Sequence, residues 1–474
     1  MKLINSFLLI ISLLLTITSF AQKKTEQKKP EDNYFLKSSD VSALKFRSIG
    51  PAMISGRISD LAVNPNNPSE YYVAVASGGV FKTQNWGITF SPIFDGQKPY
   101  SIGCISIDPN NTNVIWVGTG ENNSQRSVSW GDGVYKSLDG GATWQNMGLK
   151  KSEHIGKIWI DPRNSNTVWV AAQGPLWAAG GDRGLYKTTD GGTTWELILE
   201  ISENTGVSDL AFDPRNPDVA YATSYQRRRH VYTLINGGPE STIYKTEDGG
   251  KNWRKIEKGL PSAEKGRIGI AISPANPDYL YAIVESTEDN GGFYRSINRG
   301  ESWVKQNDFV SGSPQYYQEL FADPKDENCV YAMDTYARYT LDGGKTFTTF
   351  TYKNKHVDDH ALWIDPTDTK HLLNGGDGGL YETFDRGKTW TYKANLPISQ
   401  FYRVSVDNDL PFYNVYGGTQ DNNSVGGPSQ TTNAHGIRNS DWIITQGGDG
   451  FKSQIDPVDP NTVYAQAQYG YLAR

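Results

Sequence analysis

The sequence predicts an all-β protein, a β-propeller of four-stranded antiparallel blades. One eight-residue pattern recurs seven times, at spacings of 43 to 58 residues. Between its copies, an apolar run that ends in a proline turn also recurs. No segment shows the sustained 3.6-residue apolar period of a helix. Repeats of this length, made of short β-branched and aromatic runs separated by turn residues, are typical of propellers.

The eight-residue pattern is predicted to form the turn between the third and fourth strands, C and D, of each unit. Its copies are TQNWGITF (83–90), SLDGGATW (137–144), TTDGGTTW (188–195), TEDGGKNW (246–253), SINRGESW (296–303), TLDGGKTF (340–347) and TFDRGKTW (383–390). The Asp or Asn oxygen at the third position can accept N–H groups of its own turn. In two copies this position is Asn, at Asn85 and Asn298. The turn therefore requires the side-chain oxygen and not a negative charge. We therefore expect structural turn formers here, not catalytic acids or calcium ligands.

The final aromatic of each copy is expected to pack between neighbouring blades, with Trp144 and Trp195 mostly buried. The proline turns join the first two strands, A and B. They are Asn64-Pro65, Asp108-Pro109, Asp161-Pro162, Asp213-Pro214, Ser273-Pro274, Asp323-Pro324, Asp365-Pro366 and Asp456-Pro457. In a four-stranded antiparallel blade, the A–B and C–D turns lie on one face. The B–C loops and the connections between blades lie on the other face.

The eight-residue pattern is the Asp-box of bacterial neuraminidase repeats (BNR). From residue 44 to the end, the chain resembles the Asp-box β-propeller superfamily, which includes the sortilin N-terminal domain, xyloglucanase-type glycoside hydrolases and sialidases. It is similar to secreted bacterial tandem-propeller proteins described as "glycosyl hydrolase" or "sortilin N-terminal domain-containing". Stretches that carry this similarity include GPAMISGRI, WVGTGENNSQRSVSWGDGVYKS, ALWIDP, GGDGGLYE and GGTQDNNS. The resemblance implies two tandem seven-bladed propellers and, in xyloglucanase-type enzymes, a cleft between them with an acid from each.

Four segments are predicted along the chain. Residues 1–21 are a secretory signal peptide, with Lys2 before an apolar run and small residues before Gln22. Residues 22–43 form a disordered charged linker, and 44–400 form the propeller of about seven blades. Residues 401–474 begin a second propeller or add blades, in a truncated sequence whose last residues supply strands B and C of a ninth unit. The alternative is one larger ring, with residues 44–50 supplying the missing strand.

Charge and composition exclude several classes of partner. The formal net charge is −6 and the pI about 5.6, so a broad attraction to nucleic acid is not expected. No apolar run after the signal peptide approaches a membrane span. Cys104 and Cys329 are expected to be buried free thiols. We therefore expect an exported protein that is secreted, periplasmic or at the cell surface, and that binds a polysaccharide or an extracellular protein or peptide.

The face opposite the Asp-boxes carries the long loops, and the candidate functional residues come from it. Three B–C loops stand out, at residues 119–132, 173–184 and 224–241. The candidate catalytic acids are Glu121, Asp359, Asp377 and Asp421. The candidate ligand-binding residues are Trp130, Trp177, Arg228, His230 and His360. Carboxylates, guanidinium groups and aromatic rings together suit a polar polymer such as a glycan.

Three functions stay open at this point. A glycan- or protein-binding module is ranked slightly above a glycoside hydrolase, which requires two suitably spaced carboxylates. A sialidase is disfavoured because Arg57-Ile58 is followed by Ser59 rather than proline, and because the blade count exceeds six. No cofactor is expected. For the sequence His356 to His360, a hydrogen-bonded His–Asp pair is favoured over a metal site.

Overall fold

The computed structural model describes residues 36–51, 53, 55–125, 128–287 and 290–474. The predicted signal peptide and most of the predicted linker lie outside these residues. The chain divides into two compact units, Met1–Ser48 and Ile49–Arg474. In the first unit, the described residues contain one short 3-10 helix, η1 (Ser38–Val41).

The first seven antiparallel sheets of the second unit, which we call blades 1 to 7, have four strands each except blade 4, whose four strands carry a fifth. Blade 1 is β1 (Ile58–Val63), β2 (Tyr71–Val75), β3 (Gly79–Thr83) and β4 (Ser91–Pro92). Blade 2 is β5 (Ile102–Ile107), β6 (Ile115–Thr119), β7 (Val134–Ser137) and β8 (Gln145–Gly148). Blade 3 is β9 (Ile155–Ile160), β10 (Val168–Ala172), β11 (Gly184–Thr188) and β12 (Glu196–Leu199). Blade 4 is β13 (Thr205–Phe212), β14 (Ala220–His230), β16 (Ile243–Thr246) and β17 (Arg254–Lys255), with β15 (Thr233–Asn236) paired to β14.

The remaining blades follow the same order. Blade 5 is β18 (Lys265–Ile272), β19 (Leu280–Ser286), β20 (Gly292–Ser296) and β21 (Val304–Asn307). Blade 6 is β22 (Leu320–Ala322), β23 (Val330–Ala332), β24 (Arg338–Thr340) and β25 (Thr348–Thr349). Blade 7 is β26 (Asp359–Ile364), β27 (Leu372–Gly376), β28 (Gly379–Thr383) and β29 (Thr391–Tyr392).

Blade 7 packs against blade 1, so the seven blades close into a ring. Ile58 and Tyr71 of blade 1 share one buried apolar cluster with Leu373 and Leu380 of blade 7. Asn395, just after blade 7, donates its side-chain amide to the carbonyl of Gly87 in the first Asp-box, at 2.9 Å. The predicted all-β propeller of four-stranded antiparallel blades is therefore confirmed. The alternative of one larger ring is wrong, because blade 1 is already covered by blade 7.

Two further sheets follow the ring. Sheet 8 is β30 (Phe401–Val406), β31 (Asn414–Thr419), β32 (Ser424–Pro428) and β33 (Ile443–Gln446), with the 3-10 helix η2 (Asn439–Asp441) before its last strand. Sheet 9 is β34 (Ser453–Ile455), β35 (Val463–Gln466) and β36 (Leu472–Ala473), with η3 (Gln468–Gly470) between the last two. Asn422, in the loop after β31, donates to the carbonyl of Asp377, next to β27 of blade 7, at 2.8 Å. That sheets 8 and 9 begin a second propeller remains a prediction.

The Asp-box turns have the expected geometry. The Oδ1 atom of Asp139 accepts the N–H of Thr143 at 2.8 Å and the hydroxyl of Ser137 at 2.8 Å. The hydrogen bonds from Thr143 and Ser137 lower the pKa of Asp139 to about 2. The Oδ1 atom of Asn85 accepts the equivalent N–H at 2.9 Å, so an amide performs the same role. In blade 2 the N–H of Gly140 also donates to the carbonyl of Asn113 in the A–B turn, at 2.8 Å, so both turns lie on one face.

The tryptophans that end the Asp-boxes pack against neighbouring blades. Trp144 and Trp195 pack against two apolar clusters with the larger part of each side chain covered, and their indole N–H groups donate to the carbonyls of Ile93 and Met147 in the preceding blades. The expectation that they are mostly buried is therefore confirmed. Trp303, which ends the fifth Asp-box, is only 3% exposed, and Trp116 and Trp169, on the second strands of blades 2 and 3, are almost completely buried.

Two further expectations concern the cysteines and the membrane. Cys104 and Cys329 are both free and buried, as predicted. Burial raises the pKa of the Cys329 thiol to about 12. No helix within the described residues is long and apolar enough to cross a membrane.

Candidate functional site

The guanidinium group of Arg57 forms the centre of a buried charged cluster on the long-loop face, which we call the Arg57 hub. Arg57 immediately precedes β1. Its Nε atom donates to Oδ1 of Asp377 at 2.7 Å, and its Nη1 atom donates to Oε2 of Glu121 at 2.9 Å. Glu121 follows β6 and Asp377 follows β27, so both leave the ends of second strands. Arg57 is 5% exposed, and both acids are less exposed than that.

Asp377 has every oxygen occupied. The hydroxyl of Tyr316 donates to its Oδ2 atom at 2.7 Å, and Nε2 of His360 is 2.9 Å from its Oδ1 atom. Burial by itself raises the pKa of Asp377, but Arg57 and His360 outweigh it and hold that pKa well below its usual range. Burial by itself lowers the pKa of Arg57. Nearby groups, of which Asp377 has the largest effect, outweigh burial and raise that pKa. The pair is therefore ionised and locked in place.

Asp421 adds a third carboxyl group from outside the ring. It follows β31 of sheet 8, and its Oδ2 atom lies 3.8 Å from Nη2 of Arg57. Its backbone N–H donates to Oδ1 of Asp449 at 3.0 Å. Burial, followed by the negative charge of Asp377, raises the pKa of Asp421 to about 8. Around one guanidinium, one acid is thus held ionised and another is held protonated near neutral pH.

This geometry predicts a pH-dependent stability. The pKa of Asp421 rises on folding from an ordinary value of 3.8 to about 8. The folded state therefore binds the extra proton, and stability falls as the pH increases from about 4 to about 8. We expect Asp421→Asn to raise the melting temperature at pH 8.5 and to leave it nearly unchanged at pH 4.5. Asp308→Asn, at a side chain that is 94% exposed, is the control. A variant that melts like the wild type at both pH values would contradict the assignment.

Asp359, the remaining predicted acid, is not part of the hub. Its carboxylate pairs with the ammonium group of Lys355 and accepts the hydroxyl of Tyr352, and it is fully buried. Asp359 is therefore an internal ion-pair partner in blade 7, and this pairing does not support the catalytic role predicted for it. The neighbouring residue, Asp358, accepts the hydroxyl of Tyr317.

His360, predicted to bind a ligand, is buried inside the hub. Its ring lies against the rings of Tyr316 and Tyr317, at centroid distances of 4.6 and 5.2 Å. His360 forms a hydrogen-bonded His–Asp pair with Asp377, which follows β27, and not with an aspartate of the segment His356 to His360. Among the described residues, no group of three or more His, Cys, Asp or Glu side chains is arranged to hold a metal ion.

The other predicted ligand-binding residues lie on separate loops. Arg228 and His230 stand on the β14–β15 hairpin. Arg228 donates to Oδ1 of Asn204 at 2.7 Å, and the ring of His230 stacks on Tyr232. Trp177 is about half exposed and Trp130 is 72% exposed. The structure therefore brings together Glu121, Asp377, Asp421 and His360, but not the four other ligand candidates.

An aromatic cavity of about 160 Å³ opens beside Trp130. It is lined by Lys98, Pro99, Tyr100, Ser129, Trp130, Gly131 and Asp132. Tyr100 is 60% exposed, and the hydroxyl of Tyr135 donates to Oδ2 of Asp132 at 3.1 Å. Tyr100 and Asp132 were not predicted as binding residues. Their positions, one before β5 and one before β7, could have suggested that the two loops meet.

Comparison with known proteins agrees with the repeat pattern. The family model "Sortilin, neurotensin receptor 3" matches residues 132–267. The chain is 23% identical, over 396 residues, to an oligoxyloglucan-reducing end-specific xyloglucanase of Emericella nidulans, with 69% of this chain and 44% of that protein covered. It is 25% identical, over 282 residues, to the photosystem II assembly lipoprotein Ycf48 of Picosynechococcus, with 49% of this chain and 76% of that protein covered. These matches confirm the resemblance to Asp-box propeller proteins.

A solved structure gives the same fold. PorZ, described as an essential bacterial surface component of the type-IX secretion system of Porphyromonas gingivalis, superposes with a TM-score of 0.53 at 12% identity. The superposition covers 90% of this chain and 51% of PorZ. The chain thus spans about half the length of PorZ and slightly less than half of the xyloglucanase.

Proposed function

We propose that this chain is an exported binding module for a glycan, or for an extracellular protein, and that it is not itself a hydrolase. The proposal rests on the burial and pairing of the acidic side chains on the long-loop face. A glycosidase presents two carboxyl groups to the bond that it cleaves. Here Glu121 and Asp377 are almost fully buried, and each is paired with Arg57. Groups held in this way fix the positions of three blades and have no access to a polymer.

The aromatic cavity supports a binding role on the same face. Tyr100 and Trp130 expose large flat rings there, and such rings cover apolar faces of a ligand while polar groups at their edges form hydrogen bonds. Asp132 and Ser129 supply polar groups in the same cavity. An open platform with polar neighbours suits a sugar ring. It also accepts an aromatic or aliphatic side chain of a peptide.

The matched relatives point to the same two ligand classes. One is named for xyloglucan and another for the assembly of photosystem II. The designation of the second as a lipoprotein agrees with export, and we extend export to this chain as secretion or placement in the periplasm or at the cell surface. Because the chain spans less than half of the xyloglucanase, we propose the ligand class only and use xyloglucan as the first probe.

The test is affinity electrophoresis of the intact protein in gels that contain xyloglucan or other soluble polysaccharides, with peptide arrays run in parallel. Trp130→Ala should weaken binding at least about tenfold, because an aromatic anchor contributes about 1.4 kcal/mol or more. Trp86→Ala is the matched control, since that ring is 42% exposed on the Asp-box face. Binding that survives Trp130→Ala, or that is lost equally in the control, would contradict the proposal.

A glycoside hydrolase is the second candidate, and Asp421 is the observation that favours it. A protonated acid beside an ionised one is the arrangement that divides acid and base roles in many enzymes. Asp421 is 28% exposed, more than the other hub acids. Release of reducing ends from xyloglucan by the wild type, abolished in Asp421→Asn while binding persists, would establish this alternative. No release by the wild type supports the binding module.

A further inference from the structure

A second cavity lies on the ring axis and opens on the Asp-box face. Its volume is about 460 Å³. Pro324 and Pro366, from two A–B turns, line it and place its mouth on that face. Its walls are apolar and include Phe212, Phe321 and Trp363. Cavities of this size typically hold small molecules.

Two charged side chains, Lys157 and Asp209, line this cavity, and they belong to a set of charged residues at one level of the ring. Each of these residues lies five positions before the A–B turn proline of its blade. They are Asp60, Lys157, Asp209 and Glu319. Equivalent positions on neighbouring blades lie at the same height along the axis. Glu319 accepts the side-chain amide of Asn122 at 2.9 Å and Nη2 of Arg267 at 3.2 Å, so side chains from blades 2, 5 and 6 meet across the axis.

The acids at this level already have hydrogen-bond partners. Asp60 accepts the N–H groups of Leu61 and Ile105, at 2.8 and 2.9 Å. Asp209 accepts those of Leu210 and Ile270, at 2.9 and 3.2 Å. Each acid therefore connects its own blade to the next one. Neither has an unpaired oxygen to attract a ligand.

Lys157 differs from these acids. It lines the cavity, and its Nζ atom lies 5.9 Å from the centre of the Phe321 ring. Within the part of the chain that the structure describes, the ammonium group makes neither a hydrogen bond nor an ion pair. Burial by itself lowers the pKa of Lys157, but Asp209 and then Asp60 outweigh it and raise that pKa. The cavity thus ends in a charged group with three hydrogen-bond donors that none of the described residues accepts.

We infer that the axial cavity is a binding site for a small molecule with an apolar body and an uncharged hydrogen-bond acceptor, a carbonyl or hydroxyl group, which Lys157 binds. The apolar walls take up the body. The ammonium group repels a cationic head group. The carboxylates of Asp60 and Asp209 repel an anionic one. This site is on the face opposite Trp130 and does not depend on the proposed function.

Three probes that share one apolar body test the head group. They are 4-phenylbutanamide, 4-phenylbutanoate and 4-phenylbutylamine, titrated into the intact protein and followed by saturation-transfer NMR. The amide should bind at least about fivefold more tightly than either charged probe, the factor that one net hydrogen bond provides. Equal or tighter binding of a charged probe would overturn the head-group assignment. Failure of all three to bind would overturn the site.

Variants locate the binding. Lys157→Met should weaken amide binding about fivefold, and Lys345→Met, at an exposed lysine of an Asp-box, should leave it unchanged. If Lys157→Met does not fold, Ala322→Leu still tests whether the amide binds in this cavity. The larger side chain fills part of the cavity and should abolish binding of the amide. Binding that persists in Ala322→Leu would place the probe elsewhere and overturn the proposal. Trp130→Ala should not affect it, which separates this result from the test of the aromatic cavity.

Discussion

Replacing Arg57 with methionine should lower the free energy of unfolding by about 3–5 kcal/mol, the usual result of removing one partner from a buried ion pair. The substitution keeps much of the side-chain volume but leaves Glu121 and Asp377 as buried carboxylates without their cation. Tyr316 also loses the guanidinium group that lies 4.9 Å from its ring centre. Urea denaturation followed by fluorescence measures the loss.

Arg215→Met is the control for this prediction. Its guanidinium is about half exposed and pairs with Asp213 and Asp278, so its removal should cost less than about 1 kcal/mol. A double variant, Arg57→Met with Asp377→Asn, should recover part of the loss, because one uncompensated charge is removed. Arg57→Met that unfolds at the same urea concentration as the wild type would show that the hub does not hold the blades together.

The loss should also depend on pH. Arg57 helps to hold the pKa of Asp377 below its ordinary value of 3.8. The stabilisation from this shift is therefore present above about pH 4 and decreases as the pH falls below that value. The difference between Arg57→Met and the wild type should accordingly be larger at pH 7 than at pH 3.

The fold could be predicted from the sequence because its information is local and repeated. Each Asp-box specifies its turn through contacts within four residues, as in the bond from Thr143 to Asp139. The Arg57 hub, in contrast, depends on contacts between residues that are far apart in the sequence. Arg57 and Asp377 are 320 residues apart and meet only because blade 7 closes on blade 1. Sequence reasoning could name the loop acids individually, but their convergence on one guanidinium depends on ring closure.

Whether a charged side chain is exposed was harder to predict from the sequence than which strand or loop carries it. Asp358 and Asp359 are adjacent, yet the first faces Tyr317 near the hub and the second is paired with Lys355 inside blade 7. Lys157 stands in the strand IGKIWI, where one lysine resembles an ordinary solvated residue. Only its alignment with Asp60 and Asp209 on the A–B turn prolines places it on the ring axis. That alignment can be read from the sequence.

The burial of individual tryptophans was likewise difficult to predict from the sequence. Trp195 ends its Asp-box, is partly buried, and lies edge-to-face with Trp116 at a centroid distance of 6.2 Å. Trp169 is instead the second residue of the short apolar strand β10, VWVAA, which the sequence marks only as a second strand of its unit. Membership in the Asp-box does not by itself determine burial, because Trp303 is 3% exposed whereas Trp195 is only partly buried.

Trp169→Ala should therefore destabilise the protein by about 3–5 kcal/mol, the range for removing a large buried aromatic side chain. Trp169 is almost fully buried and contacts the rings of Trp159, Phe212 and Trp253, so its loss opens a cavity between blades 3 and 4. Trp195→Ala removes a partly buried ring and should cost about half as much. Trp130→Ala, at an exposed ring, should cost less than about 0.5 kcal/mol. Urea midpoints of the three variants give the order directly. If Trp195→Ala proved as costly as Trp169→Ala, the Asp-box aromatic residues would hold the blades together after all, as the repeat pattern by itself suggests.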